Sequence, residues 1–405
     1  MSLIVQKYGG TSVGDTALIK KVAARIVKTK NKGNNVIAVV SALGNTTDEL
    51  KQKAFSLNPD PPEREMDALL STGEQVSSAL LAIAISKLGV EAVSFTGAQV
   101  GILTDGAHTK AKIVDIKTER LQKELAKGNI VIVTGFQGVT LDNDITTLGR
   151  GGSDTTAVAL AAKLGADTCE IYTDVDGVYT ADPNLVAAAR KLKAVSYEEM
   201  LEAAVSGSKV LQLRSVEYAR RYNVKLHVRS SFSDNNGTLV KEADSSMEKA
   251  IISSIAHSIG EAKITLSGVP DKPGIAASVF GALAKHNVNV DMILQNVSEK
   301  GLSDISFTVE EDDLRGAGNV MKEVVKELKA KGYDIDTDIA KVSLIGAGMK
   351  SHPGVAATMF KVLADNRINI DMISTSSIKI SCVIRAGQVK QAVSALHKAF
   401  GLEKS

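Results

Sequence analysis

Lys7 stands next to the glycine pair Gly9 and Gly10 in the run Lys-Tyr-Gly-Gly-Thr-Ser at 7–12, and a cation beside paired glycines suits a phosphate. An apolar Leu3-Ile4-Val5 run precedes it and a helical pattern (Leu18, Val22, Ile26) follows, so the glycines fall where a strand turns into a helix. Such a turn offers backbone N–H groups and the positive end of a helix dipole to an anion. Glycine leaves room for phosphate oxygens, and Lys7 supplies a point charge. The spacing is not that of a G-x-x-x-x-G-K-[ST] loop.

Two further blocks point the same way: Gly-Arg-Gly-Gly-Ser-Asp at 149–154 and Tyr-Thr-Asp-Val-Asp-Gly-Val-Tyr-Thr-Ala-Asp-Pro at 172–183. Arg150 offers a fork matched to a carboxylate, and Gly151, Gly152 and Ser153 offer N–H and hydroxyl donors at the start of a helix over 155–163. The block either holds a small acidic substrate or is an Arg–Asp surface pair beside a helix cap. In Ser-Thr-Gly-Glu-Gln at 71–75, Glu74 lies among Leu69, Leu70, Leu80 and Leu81. It sits either on a polar stripe or facing a ligand amine.

The elements that must position these residues alternate. Segments 36–41, 92–95, 130–134, 170–173 and 225–228 read as short strands, with helices between them over 66–88 and 155–163. That order predicts an α/β fold with a mostly parallel sheet sandwiched by helices, whose ligands gather at the carboxyl ends of the strands. A chain of 405 residues suits two or three domains. Lys plus Arg (48) nearly balance Asp plus Glu (46), so no strong field invites nucleic acid or anionic lipid. The longest uninterrupted apolar run, 79–85, is too short to span a bilayer, and no signal-peptide pattern precedes Lys7. Cys169 and Cys382 read as buried thiols of a reducing cytosol, so a cytoplasmic protein is expected; the scattered histidines predict no metal site.

Taken together, the runs at 7–12, 71–74, 149–154 and 172–179 resemble the monofunctional aspartate kinases, within the amino-acid kinase superfamily, over essentially the whole chain. The resemblance implies ATP-dependent phosphorylation of the side-chain carboxylate of L-aspartate to 4-phospho-L-aspartate, the committed step towards lysine, threonine and methionine. It implies that Lys7, Gly9, Gly10 and Lys209 meet the ATP phosphates, that Tyr8 also belongs to the nucleotide-binding set, and that Thr173, Asp174 and Tyr179 line the nucleotide pocket. Thr47, Glu74, Arg150, Gly151, Gly152 and Ser153 would hold aspartate, with Glu74 on the ammonium and Arg150 on the α-carboxylate. Asp154 would orient the lysines, making Lys7, Asp154 and Lys209 the catalytic set, and Mg²⁺ would arrive with ATP. One position departs: Asn184 follows Asp182-Pro183 where the family usually carries arginine. The alternatives are another amino-acid kinase or an amino-acid sensor without activity.

A polar stretch over 230–246 precedes a repeat. Pro273, Gly274 and Asp291 recur as Pro353, Gly354 and Asp371, each 80 residues on (353 − 273 = 80). Each unit reads as strand, Pro-Gly turn, helix, two strands and helix, and resembles the ferredoxin-like ACT regulatory domain. We expect a kinase domain over 1–245, a first ACT domain over 263–340, and a second made of 250–257 plus 341–405, with the first inserted in the second. No segment of a fused dehydrogenase is expected after the second unit. The resemblance implies inhibition by lysine, threonine or both, through Asp271, Pro273, Gly274, Ile275, Gln295 and Asn296 and their counterpart Ser351, His352, Gly354 and Val355. Ser377 departs from the family's glutamate. Unpaired sheet edges favour a homo-oligomer built through these domains, and Met247 is placed to start a separate regulatory product.

Overall fold

The computed structural model describes residues 1–244, 251–297 and 301–404; the side chain of Ser351 and all of Met247 lie outside the described residues. The chain divides into two compact units. The first comprises Met1–Val178, Lys191–Ala204 and Lys209–Glu248, and the second Tyr179–Arg190, Val205–Ser208 and Lys249–Ser405.

The first unit is built on an eight-stranded sheet in the order Ala194–Ser196, Thr238–Lys241, Leu226–Ser230, Thr168–Thr173, Leu3–Tyr8, Asn35–Val40, Ile130–Thr134, Ala92–Phe95. Every neighbouring pair is parallel except Leu226–Ser230 with Thr238–Lys241. Val36 to Val40 are fully buried on both faces, as expected of a central strand between helical layers. On one side Val36, Ala38 and Val40 meet Ile19, Val22 and Ile26 of the helix Thr16–Asn31 and Leu81 and Ile85 of Thr72–Ser86.

The helix expected over 66–88 is two, Glu63–Leu70 and Thr72–Ser86, joined by a turn at Ser71. Gly73 there lies so close to the strand end that a Cβ would stand 2.8 Å from the Ala42 methyl. By length and composition alone, Glu63–Ser86 is apolar enough to cross a membrane, because its serines, threonines and glycine bring few charges. It is a core helix pair that buries Asp67 and Glu74. A second, four-stranded sheet of Ile113–Ile116, Ile102–Thr104, Gln137–Val139 and Ile145–Thr147 has strands too short to show a period in sequence.

The second unit is a six-stranded antiparallel sheet: Ile293–Val297, Leu302–Glu310, Ser254–Pro270, Gly332–Ile345, Lys379–Arg385, Met372–Thr375. Its two central strands are long and shared. Their register shifts beside Gly260, whose φ is +96°, before Glu261 pairs with Ile339. The segment Ser254–Ile259 pairs with Ala340–Ile345, whereas Lys263–Ser267 pairs with Gly332–Asp336. One apolar core sets Ile264, Leu266 and Phe307 against Val279, Leu283, Met321 and Val324; the other sets Val342, Leu344 and Cys382 against Met359, Leu363, Val393 and Leu396. Burial pushes the Cys382 thiol up to about 12, which keeps it unreactive.

The repeated aspartates tie each half to the sheet. Asp291 pairs with the buried Lys341, which also meets Glu261 at 2.8 Å, and Asp371 pairs with Arg385 at 2.8 Å. The segment Tyr179–Arg190 completes the second core with Ala181 and Val186. Thr180 Oγ1 lies 2.9 Å from His397 Nε2, and the Thr180 carbonyl accepts from the Ile255 N–H at 2.8 Å. Val205–Ser208 docks similarly: Lys341 Nζ donates to the Val205 carbonyl at 3.4 Å, and Gly207 (φ +100°) approaches the His257 carbonyl too closely for a side chain.

Candidate active site

Lys7 ends on the sheet face opposite Tyr8, because successive strand residues alternate. Its ammonium lies 2.5 Å from Asp154 Oδ1, with both side chains largely buried. A Cβ on Gly9 would stand 3.5 Å from Lys7 Nζ, so the glycine keeps the approach to the ammonium open. Gly10 begins a short 3-10 turn, and a Cβ there would come within 3.0 Å of the Ala42 carbonyl. The Gly44 N–H donates to the Gly10 carbonyl at 3.1 Å, so the glycine loop abuts the loop that follows Asn35–Val40.

Tyr8 itself is fully buried and stacks on Tyr172 with ring centroids 4.7 Å apart. Its ring faces away from Lys7, so only its main chain can serve a nucleotide. On that hidden face, Gln6 and Tyr172 both donate to Glu170, and Arg229 pairs with the same carboxylate at 3.1 Å. A buried network that gathers three side chains on one carboxylate fixes the register of the strand that carries Lys7.

Ser41 and Ala42 bring two helices to one point. Ser41 Oγ donates to Ser153 Oγ at 3.0 Å, and the Ala42 N–H donates to Glu74 Oε1 at 3.0 Å. Glu74 is 2 % exposed, and its Oε2 has no partner among the described residues. Burial pushes its carboxyl up to about 7, against the backbone donors that favour the charge. Of the two readings open in sequence, a polar stripe or a carboxylate facing a ligand, the burial excludes the first. A half-satisfied buried carboxylate costs stability unless a cation meets it.

The run 149–154 turns sharply into the helix Gly152–Leu164. Gly149 and Gly151 have φ of +74° and +70°, and a side chain on Gly151 would collide with Gln212. Ser153 and Asp154 lie buried in the first helical turn, and Arg150 is exposed beside them. Thr47 is half-buried in the first turn of Thr46–Leu57. Thr173 Oγ1 donates to Asp174 at 2.8 Å at the end of Thr168–Thr173. Lys209 is exposed, and Tyr179 belongs to the second unit. Thus Lys7, Gly10, Glu74, Ser153 and Asp154 gather about the carboxyl ends of two adjacent strands, as parallel sheets arrange their sites. No group of His, Cys, Asp and Glu among the described residues could hold a metal ion.

Sequence reasoning missed Asp67, His108, Thr147 and Arg214, which surround the 149–154 run. Asp67 reads as an ordinary helix-surface charge, and its partners lie 41 to 80 residues away.

In the second unit, Asp271, Pro273 and Gly274 are exposed at the start of the helix Ile275–Lys285, and Gln295 and Asn296 are exposed on the edge strand. Eighty residues on, His352, Gly354 and Val355 line a cavity of about 310 Å³ together with Thr375, Ser376 and Ser377.

Residues 2–230 match the amino acid kinase family, and residues 264–329 and 342–400 each match the ACT domain. The fold and site therefore define an amino acid kinase with two ACT domains. The chain is 56% identical over 407 residues to the aspartokinase of Mycolicibacterium smegmatis, covering 99% of this chain and 97% of that one. It also resembles E. coli aspartokinase III in complex with aspartate and ADP (R-state), with TM-score 0.83, 26% identity and coverage of 98% and 99%. The same enzyme in complex with lysine and aspartate (T-state) gives TM-score 0.76 at 27% identity, covering 98% and 99%. The chain belongs to the aspartokinase family.

Proposed function

We propose that the first unit transfers the γ-phosphoryl group of ATP to the side-chain carboxylate of L-aspartate, giving 4-phospho-L-aspartate on the route to lysine, threonine and methionine. The observation that carries this reading is the convergence of a paired cation, Lys7 with Asp154, and a buried half-satisfied carboxylate, Glu74, about the adjoining loops that follow two neighbouring strands. The first suits the triphosphate and the second the ammonium of an amino acid. Aspartate's carboxylate is already a nucleophile at neutral pH, so the work left is holding two anions together. Lys7, Lys209 and the Gly9–Gly10 turn meet the phosphates, and Mg²⁺ comes with ATP. Thr173 and Asp174 line the nucleotide side, while Thr47, Arg150, Gly151, Gly152 and Ser153 hold aspartate. A coupled ADP-release assay against a panel of amino acids tests the substrate; ADP release equal with and without aspartate removes the reading. Arg150→Ala is expected to raise the aspartate KM by roughly 10–100-fold, the cost of a charge-assisted pair, with a smaller change in the ATP KM.

The second unit is the regulatory part, acting in a cytoplasmic enzyme. The pairing of Ser254–Ile259 with Ala340–Ile345 supports a first ACT domain over 263–340 inserted in a second. Lysine, threonine or both bind where each Pro-Gly turn starts a helix, with edge strands joining copies of the chain into an oligomer. Asp271→Ala is expected to weaken inhibition in a dose–response series while the uninhibited rate persists. Wild-type enzyme indifferent to millimolar lysine and threonine, singly and together, would exclude this regulation.

A further inference from the structure

Asp67, on the helix Glu63–Leu70, is fully buried, and its carboxylate is taken up by Thr147, His108 and Thr109, none of them proposed above to bind substrate. Its two oxygens accept four hydrogen bonds: Thr147 Oγ1 at 2.5 Å, His108 Nδ1 at 2.8 Å, and the Thr109 N–H at 3.1 and 3.0 Å. The carboxylate thus clamps the end of the strand Ile145–Thr147 to the loop at 108–109.

That loop is the wall against which the 149–154 run folds. Thr109 takes φ +63°, and a Cβ on Gly149 would stand 2.9 Å from its carbonyl. The Ala111 N–H donates to the Thr147 carbonyl at 3.0 Å, and Arg214 bridges the Leu148 and Ala111 carbonyls at 2.5 and 3.0 Å. Residues 147 to 149 are therefore held from both sides immediately before Arg150. On the same near-continuous helical stretch, seven positions further, stands Glu74.

We infer that Asp67 is a positioning residue that sets the spacing between Glu74 and Arg150, and thereby the fit of an amino acid's ammonium and α-carboxylate between them. The inference rests on the aspartate-binding roles proposed above. Two successive helices joined at Ser71 thus carry the ammonium acceptor, Glu74, just after the joint and, through Asp67 just before it, anchor the guanidinium-bearing turn. A wholly structural clamp would have been served as well by apolar packing, which carries no penalty for burying a charge.

The test compares aspartate and ATP KM values for Asp67→Asn, Thr147→Val, Thr147→Ser and Arg150→Ala. Thr147→Val keeps the shape and removes the donor; Thr147→Ser keeps the donor. Asp67→Asn and Thr147→Val are expected to raise the aspartate KM by about tenfold or more while the ATP KM moves by less than about twofold, and Thr147→Ser to retain the wild-type values. A wild-type aspartate KM in Thr147→Val, or equal rises in both KM values, overturns the inference, and the Thr147 pair decides even where Asp67→Asn fails to fold. An unchanged aspartate KM in Arg150→Ala instead overturns the binding role of Arg150 on which the inference stands.

Discussion

Replacing Lys7 by alanine is expected to lower kcat by about 10²–10³, the usual loss when one electrostatic contact to a developing charge is removed. The attacking carboxylate and the triphosphate are both anionic, and the transferring group spreads its charge over equatorial oxygens that only fixed donors can meet. Lys7 is the cation best fixed for this, held by Asp154 at 2.5 Å and flanked by a glycine that clears its approach. Removing it also leaves Asp154 buried without its partner, which by itself destabilises by about 3–5 kcal/mol. Activity must therefore be read at a temperature where the variant is folded, and Lys7→Ala/Asp154→Ala serves as a control from which that unpaired charge is gone. Near-normal kcat in folded Lys7→Ala would remove Lys7 from the catalytic set.

Glu74→Gln is expected to do two opposite things. Glutamate's ordinary value of 4.5 becomes about 7 through burial. Between those limits the folded chain keeps a proton that the unfolded chain has released, so stability falls as pH rises from about 4.5 to about 7, and the protein carries the full cost above that, about 3 kcal/mol. Glutamine has no charge to bury. The variant should melt higher than wild type at pH 8 and match it near pH 4.5, while its aspartate KM rises about 10²-fold or more through loss of a buried ion pair. In the wild type, aspartate binding below pH 7 should release a proton as the ammonium draws Glu74 into its ionised form. Calorimetry in two buffers of different ionisation heat measures it; no proton released at pH 6.5 would disprove the ammonium role.

The parallel sheet was legible because its strands are short apolar runs bounded by glycine and acidic clusters, and Lys7, Glu74, Arg150 and Asp154 stood out as candidates because they sit in compact runs. The side of the strand was not legible. Lys7 and Tyr8 are neighbours in the phosphate motif, yet alternation sends one to Asp154 and the other to Tyr172. Asp67 was invisible for a related reason: its partners come from two loops that the fold, rather than any spacing, brings together. Lys341 in a strand reads as a solvent-facing charge, and only the pairing of two long strands encloses it with Glu261 and Asp291. The repeat offset located both Pro-Gly turns, but the register shift beside Gly260 leaves no mark in hydrophobic period.

Because Ala181 and Val186 belong to the core around Leu344 and Leu396, the C-terminal unit cannot finish that core from its own contiguous sequence. Its missing wall leaves the ribosome before the strand Ser254–Pro270 is made, strung between segments of the first unit. A polypeptide starting near residue 247 would present an apolar gap where that wall belongs, and one ending near 245 would expose two orphaned apolar residues. The two units are separable as compact bodies yet interlocked as folding problems, so cutting between them in sequence does not cut between them in stability.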